Sequence, residues 1–320
     1  MRLLLTGSTG FVGGALLRKL QEMPDLQIVA AVRRATDKLP GAVTPVTVAG
    51  LAADTNWAAA LEGVEVVIHC AARVHVMNDT EADPLAAFRR ANVEGTLTLA
   101  RQARDAGVRR FIFVSSIKVN GESTEPGNPF TADQIPAPVD PYGVSKQEAE
   151  QGLRAIAEDS GMEVVIVRPT LVYGPGVKAN FLSMMRWLNR GVPLPFGAIH
   201  NRRSLVSLYN LVDLIVTCIH HPAAANQTFL VSDGEDVSTT ELLRRIGKAL
   251  GRPARLLPVP SAMLEMGATA LGKRALSQRL CGSLQVDINK TRELLGWTPP
   301  VSLEEALKRT ANHYLEHQEK

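Results

Sequence analysis

The feature that most constrains this chain is a glycine turn near its start. Gly7-Ser8-Thr9-Gly10-Phe11-Val12-Gly13 follows directly on the apolar run 2–5 and opens a helical pattern over residues 12–21. A strand that breaks into glycines and re-emerges as a helix commits the chain to a strand–turn–helix unit. The glycines permit a tight turn and a close approach of backbone to ligand. The helix start adds unpaired N–H groups and a partial positive charge. Strand before and helix after is the context this mechanism requires. Gly7, Thr9, Gly10, Phe11, Val12 and Gly13 are therefore expected to cradle a dinucleotide pyrophosphate.

The first half of the chain keeps the same rhythm. Residues 27–32, 64–70, 111–115 and 163–168 are short apolar runs that read as buried strands, while 82–106 and 141–159 read as helices. That alternation predicts an α/β fold, a doubly wound parallel sheet of the Rossmann kind, with ligands beyond the carboxyl ends of its strands. After residue 170 the pattern changes. Pro and Gly cluster at 174–176 and 191–197, and 227–231 reads as a strand returning to the sheet. Ser238 with Glu241 and Ser302 with Glu305 have capping-box spacing and mark two helix starts. The expected division is a dinucleotide-binding domain of 1–170 plus about 205–235, and a smaller interleaved C-terminal α/β substrate lobe of 171–204 and 236–320.

Composition removes several classes. A chain of 320 residues, 45% hydrophobic and 21% charged, can bury a large core without staples. Its formal charge is only +3 and its Lys and Arg are scattered, so no nucleic-acid partner is expected. Cys70, Cys218 and Cys281 are odd in number and lack metal-type spacing, so neither a disulfide framework nor a metal site is expected. The first apolar run is too short for a signal peptide, and no run approaches the ~18 apolar residues of a membrane span. The expected location is cytoplasmic.

The second strand ends Ala31-Val32-Arg33-Arg34, and the next carboxylate is Asp37. An acidic residue here would accept from the ribose 2′-OH of NAD, whereas an arginine accommodates the 2′-phosphate of NADP. The expectation is NADP(H), with NAD(H) possible if the two arginines are only solvated surface groups.

Tyr142 and Lys146 stand four apart in Asp140-Pro141-Tyr142-Gly143-Val144-Ser145-Lys146. If Pro141 begins the helix, both face one side. A phenol titrates near pH ~10, and a neighbouring ammonium with an oxidised nicotinamide would lower that value. The tyrosine could then exchange a proton with a substrate hydroxyl or ketone as hydride moves. The plainer reading is a packed helical tyrosine. Ser115-Ser116 closes the strand at 111–114 and places a hydroxyl at the carboxyl edge of the sheet.

In order and spacing, residues 7–13, His69-Cys70-Ala71-Ala72, Asn92, Ser115-Ser116, Tyr142 with Lys146, and Arg168-Pro169-Thr170-Leu171-Val172-Tyr173-Gly174-Pro175 resemble the extended short-chain dehydrogenase/reductase superfamily over nearly the whole chain. The resemblance implies catalytic roles for Ser116, Tyr142 and Lys146, and cofactor contacts at Ala71, Ala72, Asn92 and Pro169. It also implies a homodimer joined through the helices near 82–106 and 141–159. Asn92 is read first as the mark of a locally bent helix, with a proton-relay role as the family's alternative. His69 ends an apolar strand and is read as packed rather than as a base.

Within the superfamily the chain is most similar to the nucleotide-sugar epimerase/dehydratase branch. Asn180 matches a position that contacts the diphosphate, Phe196 one that holds the base, and Arg203 an arginine that clamps phosphate with its two-pronged fork. For Arg203 the plainer reading is a surface ion pair. Where 4,6-dehydratases carry an Asp-Glu pair for water loss at C6, this chain has Ile117-Lys118. Where 4-epimerases usually carry Tyr and Asn, it has Asn120 and Leu171, and Gly50 replaces an adenine-contacting Asp. The run 115–122 looks like the UDP-sugar 4-epimerase-like / 4-keto-reductase subgroup. The expected reaction is reduction of a UDP-4-keto-6-deoxy-N-acetylhexosamine for bacterial surface polysaccharide (lipopolysaccharide O-antigen) synthesis. The alternative is a UDP-(N-acetyl)hexose 4-epimerase with tightly bound NAD. Further alternatives are a reductase of non-sugar ketones and a non-catalytic NADP-binding regulator.

Overall fold

The structure, a computed structural model, describes residues 1–34, 39, 42–74, 83–125, 127–270, 272, 278 and 280–317. Asp37 and residue 82, where the second helix was expected to begin, lie outside the described residues. Strands β1 (Arg2–Thr6), β2 (Gln27–Val32), β3 (Val43–Thr47), β4 (Val66–His69), β5 (Arg110–Val114), β6 (Glu163–Pro169) and β9 (Thr228–Val231) form one sheet. Their order is β3-β2-β1-β4-β5-β6-β9, and every pairing is parallel.

Strand periodicity explains why the middle of β1, Leu3-Leu4-Leu5, is apolar. Leu3 and Leu5 face one side of the sheet, in a core with Leu16, Leu20 of α1 (Phe11–Leu20) and Leu211, Ile215 of α7 (Leu208–His220). Leu4 faces the other side, with Leu99 of α4 (Gly95–Asp105) and Leu153 of α5 (Pro141–Glu158). Where a strand is covered on both faces, successive residues of either orientation are apolar; the polar Thr6 at the carboxyl end of β1 is paired with His69. Each such leucine contributes about 1.5–3 kcal/mol through burial.

The strand at 227–231 does return to the sheet, as β9 beside β6. A second, three-stranded sheet follows the order β10-β8-β7. In it β7 (Leu171–Tyr173) and β8 (Arg203–Ser207) are parallel, and β10 (Asp236–Val237) is antiparallel to β8. Helices α6 (Ala179–Asn189), α8 (Thr239–Ala249) and α11 (Leu303–Glu316) pack with it around Tyr173, Phe181, Leu243 and Leu307. Ser238 Oγ accepts the N–H of Glu241, and Ser302 Oγ that of Glu305, so both expected caps form. The glutamates do not reach back; they bind Arg245 and Arg309 one turn on. Among the described residues the order also includes α2 (Ala58–Leu61), α3 (Pro84–Phe88), α9 (Ser261–Ala270) and α10 (Asn289–Leu295).

The helical stretch before β5 is not continuous. α3 gives way to a π-helical turn, Arg89–Glu94, before α4 begins. Single π turns inside helices are rare and concentrate at functional sites. This one holds Asn92, which is 1% exposed.

Candidate active site

β1 lies between β2 and β4, so the chain leaves the sheet centre in opposite directions on its two sides. Their carboxyl ends form the crevice where such sheets bind ligands. The glycine turn sits there. Gly7 has φ +72°, and a Cβ on it would lie 2.8 Å from the Ala71 nitrogen at the end of β4. A Cβ on Gly13 would lie 2.1 Å from the Gly7 carbonyl oxygen, so only glycine lets α1 start this close to the turn. Ala71 and Ala72 stand half-buried at the same crevice.

Gly10 gives α1 no side-chain cap, as at α2, α6 and α10, whereas Asp83, Asp140, Ser207, Ser238 and Ser302 cap α3, α5, α7, α8 and α11 with their side chains. Ser8 Oγ is buried beside this turn without a hydrogen-bond partner. Uncapped N–H groups, an orphaned hydroxyl and exposed Thr9 and Gly10 fit a dinucleotide pyrophosphate. Phe11 and Val12 are half-buried in the same first turn. Arg33 and Arg34 follow β2 immediately and are exposed. Pro169, buried, ends β6 on the same carboxyl edge.

β5 delivers Ser115 and Ser116 to this edge, and α5 brings Tyr142 to meet them. Asp140 caps α5 by accepting the Gly143 N–H at 2.6 Å, and Pro141 occupies the first turn, where no N–H is needed. The Ser116 side chain faces the Tyr142 phenol and acts to lower its pKa. Burial and the nearby Asp140 carboxylate push that phenol up to about 12, against a lowering effect from Ser116. Lys146 is 2% exposed. Its Nζ donates to the Val114 carbonyl at 2.8 Å and lies 4.1 Å from the Phe113 ring centre. Burial pulls it down to about 7, with Glu150 acting in the opposite sense. Ser116, Tyr142 and Lys146 thus share one place. The ammonium, however, is bonded to the strand, and the phenol lies above its ordinary value rather than below it. Desolvation and Asp140 outweigh the stabilisation expected from a neighbouring cation.

His69 is fully buried, with Nδ1 bonded to Thr6 Oγ1 at 2.7 Å and Nε2 to Thr96 Oγ1 at 3.0 Å. Burial and Lys146 push it down to about 3, so it is a neutral, doubly bonded packing residue. Asn92 Oδ1 accepts the Arg73 N–H at 2.8 Å, while Nδ2 donates to the Arg73 carbonyl and to Ser145 Oγ, each at 3.0 Å. Ser145 Oγ in turn donates to the Tyr142 carbonyl at 2.8 Å. Asn92 therefore ties the segment after β4 to the first turn of α5, which carries Tyr142.

Two further groups were not expected from the sequence. Behind the serines, Glu150 accepts from Ser115 Oγ and from the Arg168 guanidinium, whose Nη1 also donates to Asn120 Oδ1 at 2.9 Å. Asn120 passes the chain on to the Thr131 carbonyl at 2.9 Å. Beside the tyrosine, Lys118 forms ion pairs with both Glu122 and Asp140. The only sequence signals were Asp140 before Pro141 and the i, i+4 spacing of Lys118 and Glu122.

Of the expected substrate residues, Asn180 is on α6, Arg203 on β8 and Phe196 in the connection between them. Asn180 is exposed in the first turn of α6. Phe196 is half-buried against that lobe's core, and its carbonyl accepts from Thr240 Oγ1. Arg203 opens β8 and donates to the Gly282 carbonyl at 3.0 Å. Burial lowers its pKa and Glu122 counters that.

A dinucleotide turn at the switch point of a parallel sheet, with a serine, a tyrosine and a lysine gathered at its edge, defines an oxidoreductase-type site. Residues 3–232 match the NAD dependent epimerase/dehydratase family. The chain is 55% identical over 315 residues to a UDP-glucose 4-epimerase of Vibrio cholerae, covering 98% of this chain and 95% of that protein. A UDP-glucuronic acid 4-epimerase of Bacillus cereus, solved with NAD, shares the fold with a TM-score of 0.79 at 19% identity over 99% of both chains. A UDP-glucose 4-epimerase of Thermotoga maritima, solved with UDP-glucose, does so with a TM-score of 0.75 at 24% identity over 99% of both chains. This protein belongs to the NAD dependent epimerase/dehydratase family and is an enzyme of that NAD-dependent class. Among the described residues no helix is long and apolar enough to cross a membrane.

Proposed function

We propose that this chain is a UDP-sugar 4-epimerase that retains NAD through its catalytic cycle. The observation that carries this reading is the 55% identity, across 98% of the chain, to a UDP-glucose 4-epimerase. The gathering of Ser116, Tyr142 and Lys146 beside the glycine turn supports it. A bound dinucleotide supplies hydride acceptance and return at the sugar C4. The chain's own part is to move a proton and to orient the sugar. Tyr142 takes the proton of the C4 hydroxyl as hydride leaves the carbon, and gives it back when hydride returns to the opposite face. Ser116, beside that phenol, donates to the same sugar oxygen. Lys146 supplies positive charge beside the phenolate. Asn180, Phe196 and Arg203 are assigned to the diphosphate and base, within a substrate lobe of 171–204 and 236–320. Residues 1–170 with about 205–235 form the dinucleotide domain in this reading. The active form is a cytoplasmic homodimer built on α4 and α5.

The reductase reading rests on the exposed Arg33 and Arg34 at the end of β2. In it NADPH is consumed to reduce a UDP-4-keto-6-deoxy-N-acetylhexosamine. One experiment separates the two. The protein is purified and denatured, the released cofactor is identified by mass spectrometry, and UDP-glucose and UDP-N-acetylglucosamine are assayed for C4 inversion without added dinucleotide. Co-purified NAD(H) and inversion are expected. An empty protein that oxidises NADPH only with a UDP-4-keto sugar would replace the epimerase by the reductase. In that case Arg33→Ala with Arg34→Ala should weaken NADP binding by tenfold or more, about 1.4 kcal/mol, with little change for NAD.

A further inference from the structure

Tyr142 is surrounded by charge on several sides. Asp140 stands two residues before it, at the cap of the same helix, and Lys146 one turn after it. Lys118 approaches from the turn that follows β5, and Arg73 lies 5.6 Å from the centre of the Phe88 ring, whose edge contacts the Tyr142 ring. Glu122 faces Lys118 on one side and biases Arg203 on the other.

Lys118 has an unusual place in this set. Its turn, Ile117–Val119, is capped by Ser116, whose Oγ accepts the Lys118 N–H at 3.2 Å. The same Ser116 meets the Tyr142 phenol. The Lys118 carbonyl packs against Gly143 so closely that a Cβ there would lie 2.7 Å away. Its ammonium pairs with Asp140 Oδ2, while Asp140 Oδ1 accepts the Gly143 N–H. Main chain and side chain of one lysine thus hold the helix start that carries the tyrosine against the turn that carries the serine.

We propose that Lys118 is a positioning residue for Tyr142: gripped between Glu122 and Asp140, its ammonium pins the start of α5 to the Ser116 turn and offsets part of the negative charge of the carboxylate beside the phenol. The proposal rests on Tyr142 being the proton carrier of the function proposed above. Asp140 is needed as a helix cap, yet its charge opposes formation of a phenolate two residues away. Lys118 eases that conflict. It leaves the cap in place and, paired with Asp140 Oδ2, reduces the effect of that carboxylate on the phenol without removing it.

The test uses full-length protein carrying Lys118→Met, Lys118→Arg, Asp140→Asn and the double change Lys118→Met with Asp140→Asn. Turnover is followed against pH. Independently, tyrosinate absorbance is titrated with oxidised dinucleotide present, each background being subtracted from its own Tyr142→Phe version. Lys118→Met is expected to move the phenol's ionisation and the alkaline rise of kcat upward by about one unit or more, as losing an adjacent opposite charge does. Near neutral pH that is roughly a tenfold loss of kcat with little change in KM, regained at higher pH. Lys118→Arg should behave as wild type, and adding Asp140→Asn to Lys118→Met should bring the ionisation back down. An unshifted phenol in Lys118→Met, or a rate lowered equally at every pH, overturns the proposal. If no UDP-sugar is turned over, the functional reading fails while the tyrosinate titration still decides the role of Lys118.

Discussion

Replacing Lys146 with methionine should abolish turnover and at the same time stabilise the cofactor-stripped protein below neutral pH. The lysine is 2% exposed, and burial takes it from 10.5 to about 7. The folded state therefore binds this proton less well than the unfolded chain. Below pH 7 both states are protonated, and folding bears the whole cost of burying the charge. Between 7 and 10.5 the folded state has already lost the proton, so the cost shrinks as pH rises. Above 10.5 it is gone. The difference between 10.5 and about 7, at about 1.36 kcal/mol per unit, is on the order of 5 kcal/mol. Methionine forfeits the bond to the Val114 carbonyl, about 1 kcal/mol, and the contact of the charge with Phe113, roughly 1–2 kcal/mol. Its thioether keeps part of the latter by packing on the ring. The net gain is about 2–3 kcal/mol. With an unfolding entropy of about 2.1 cal/mol/K per residue, a chain of 320 residues should melt roughly 3–5 °C higher. Thermal melts of wild type and variant at pH 6 and pH 9 read this directly. A variant that melts below wild type at pH 6, or a difference that does not shrink towards pH 9, would refute the account of a destabilising buried charge.

What the sequence made legible follows from where each signal is local. The glycine turn, the apolar strands and the Asp140-Pro141 helix start are contiguous in the chain, so their geometry could be read before any contact was known. Asn92 was legible as a bend because an asparagine inside a helical pattern, at a position that the family resemblance marks, often sits at a local bend. β3 was not legible: Val43-Thr44-Pro45-Val46-Thr47 is an edge strand, paired only with β2, and mostly exposed. Its proline is tolerated because one side of an edge strand needs no ladder donor, yet in a sequence it argues against a strand. Glu150 looked like an ordinary glutamate of a surface helix. Only the fold brings Arg168, eighteen residues on, from β6 to meet it. The same holds for Lys118 and Asp140, twenty-two residues apart. The position of Lys146 was legible from helical spacing, but its bond was not, because the Val114 carbonyl comes from the end of a different element.

Tyr142→Phe removes only the ionisable oxygen; turnover should fall by several orders of magnitude with dinucleotide affinity near normal, and retained turnover would end the assigned role. Gly13→Ala places a methyl 2.1 Å from the Gly7 oxygen, so calorimetric titration should show dinucleotide affinity lost or severely reduced, while near-normal affinity would mean the turn can relax. Glu150→Gln tests the network behind the serines. Glu150 and Arg168 are each 2% exposed, and Arg168 would keep its charge with only neutral partners. Removing one member of such a pair costs about 3–5 kcal/mol, because the remaining charge is left uncompensated in a low-dielectric interior. For this chain length that is a fall of roughly 4–8 °C in melting temperature. The double change Glu150→Leu with Arg168→Met removes both charges and should recover most of the loss, since desolvation of the pair already offsets much of its attraction. Ser115 and Asn120 would still be left with a missing partner, so recovery should be incomplete. A single variant that melts with wild type would mean that water or another group already compensates Arg168, and that the pair does not hold the catalytic edge in place.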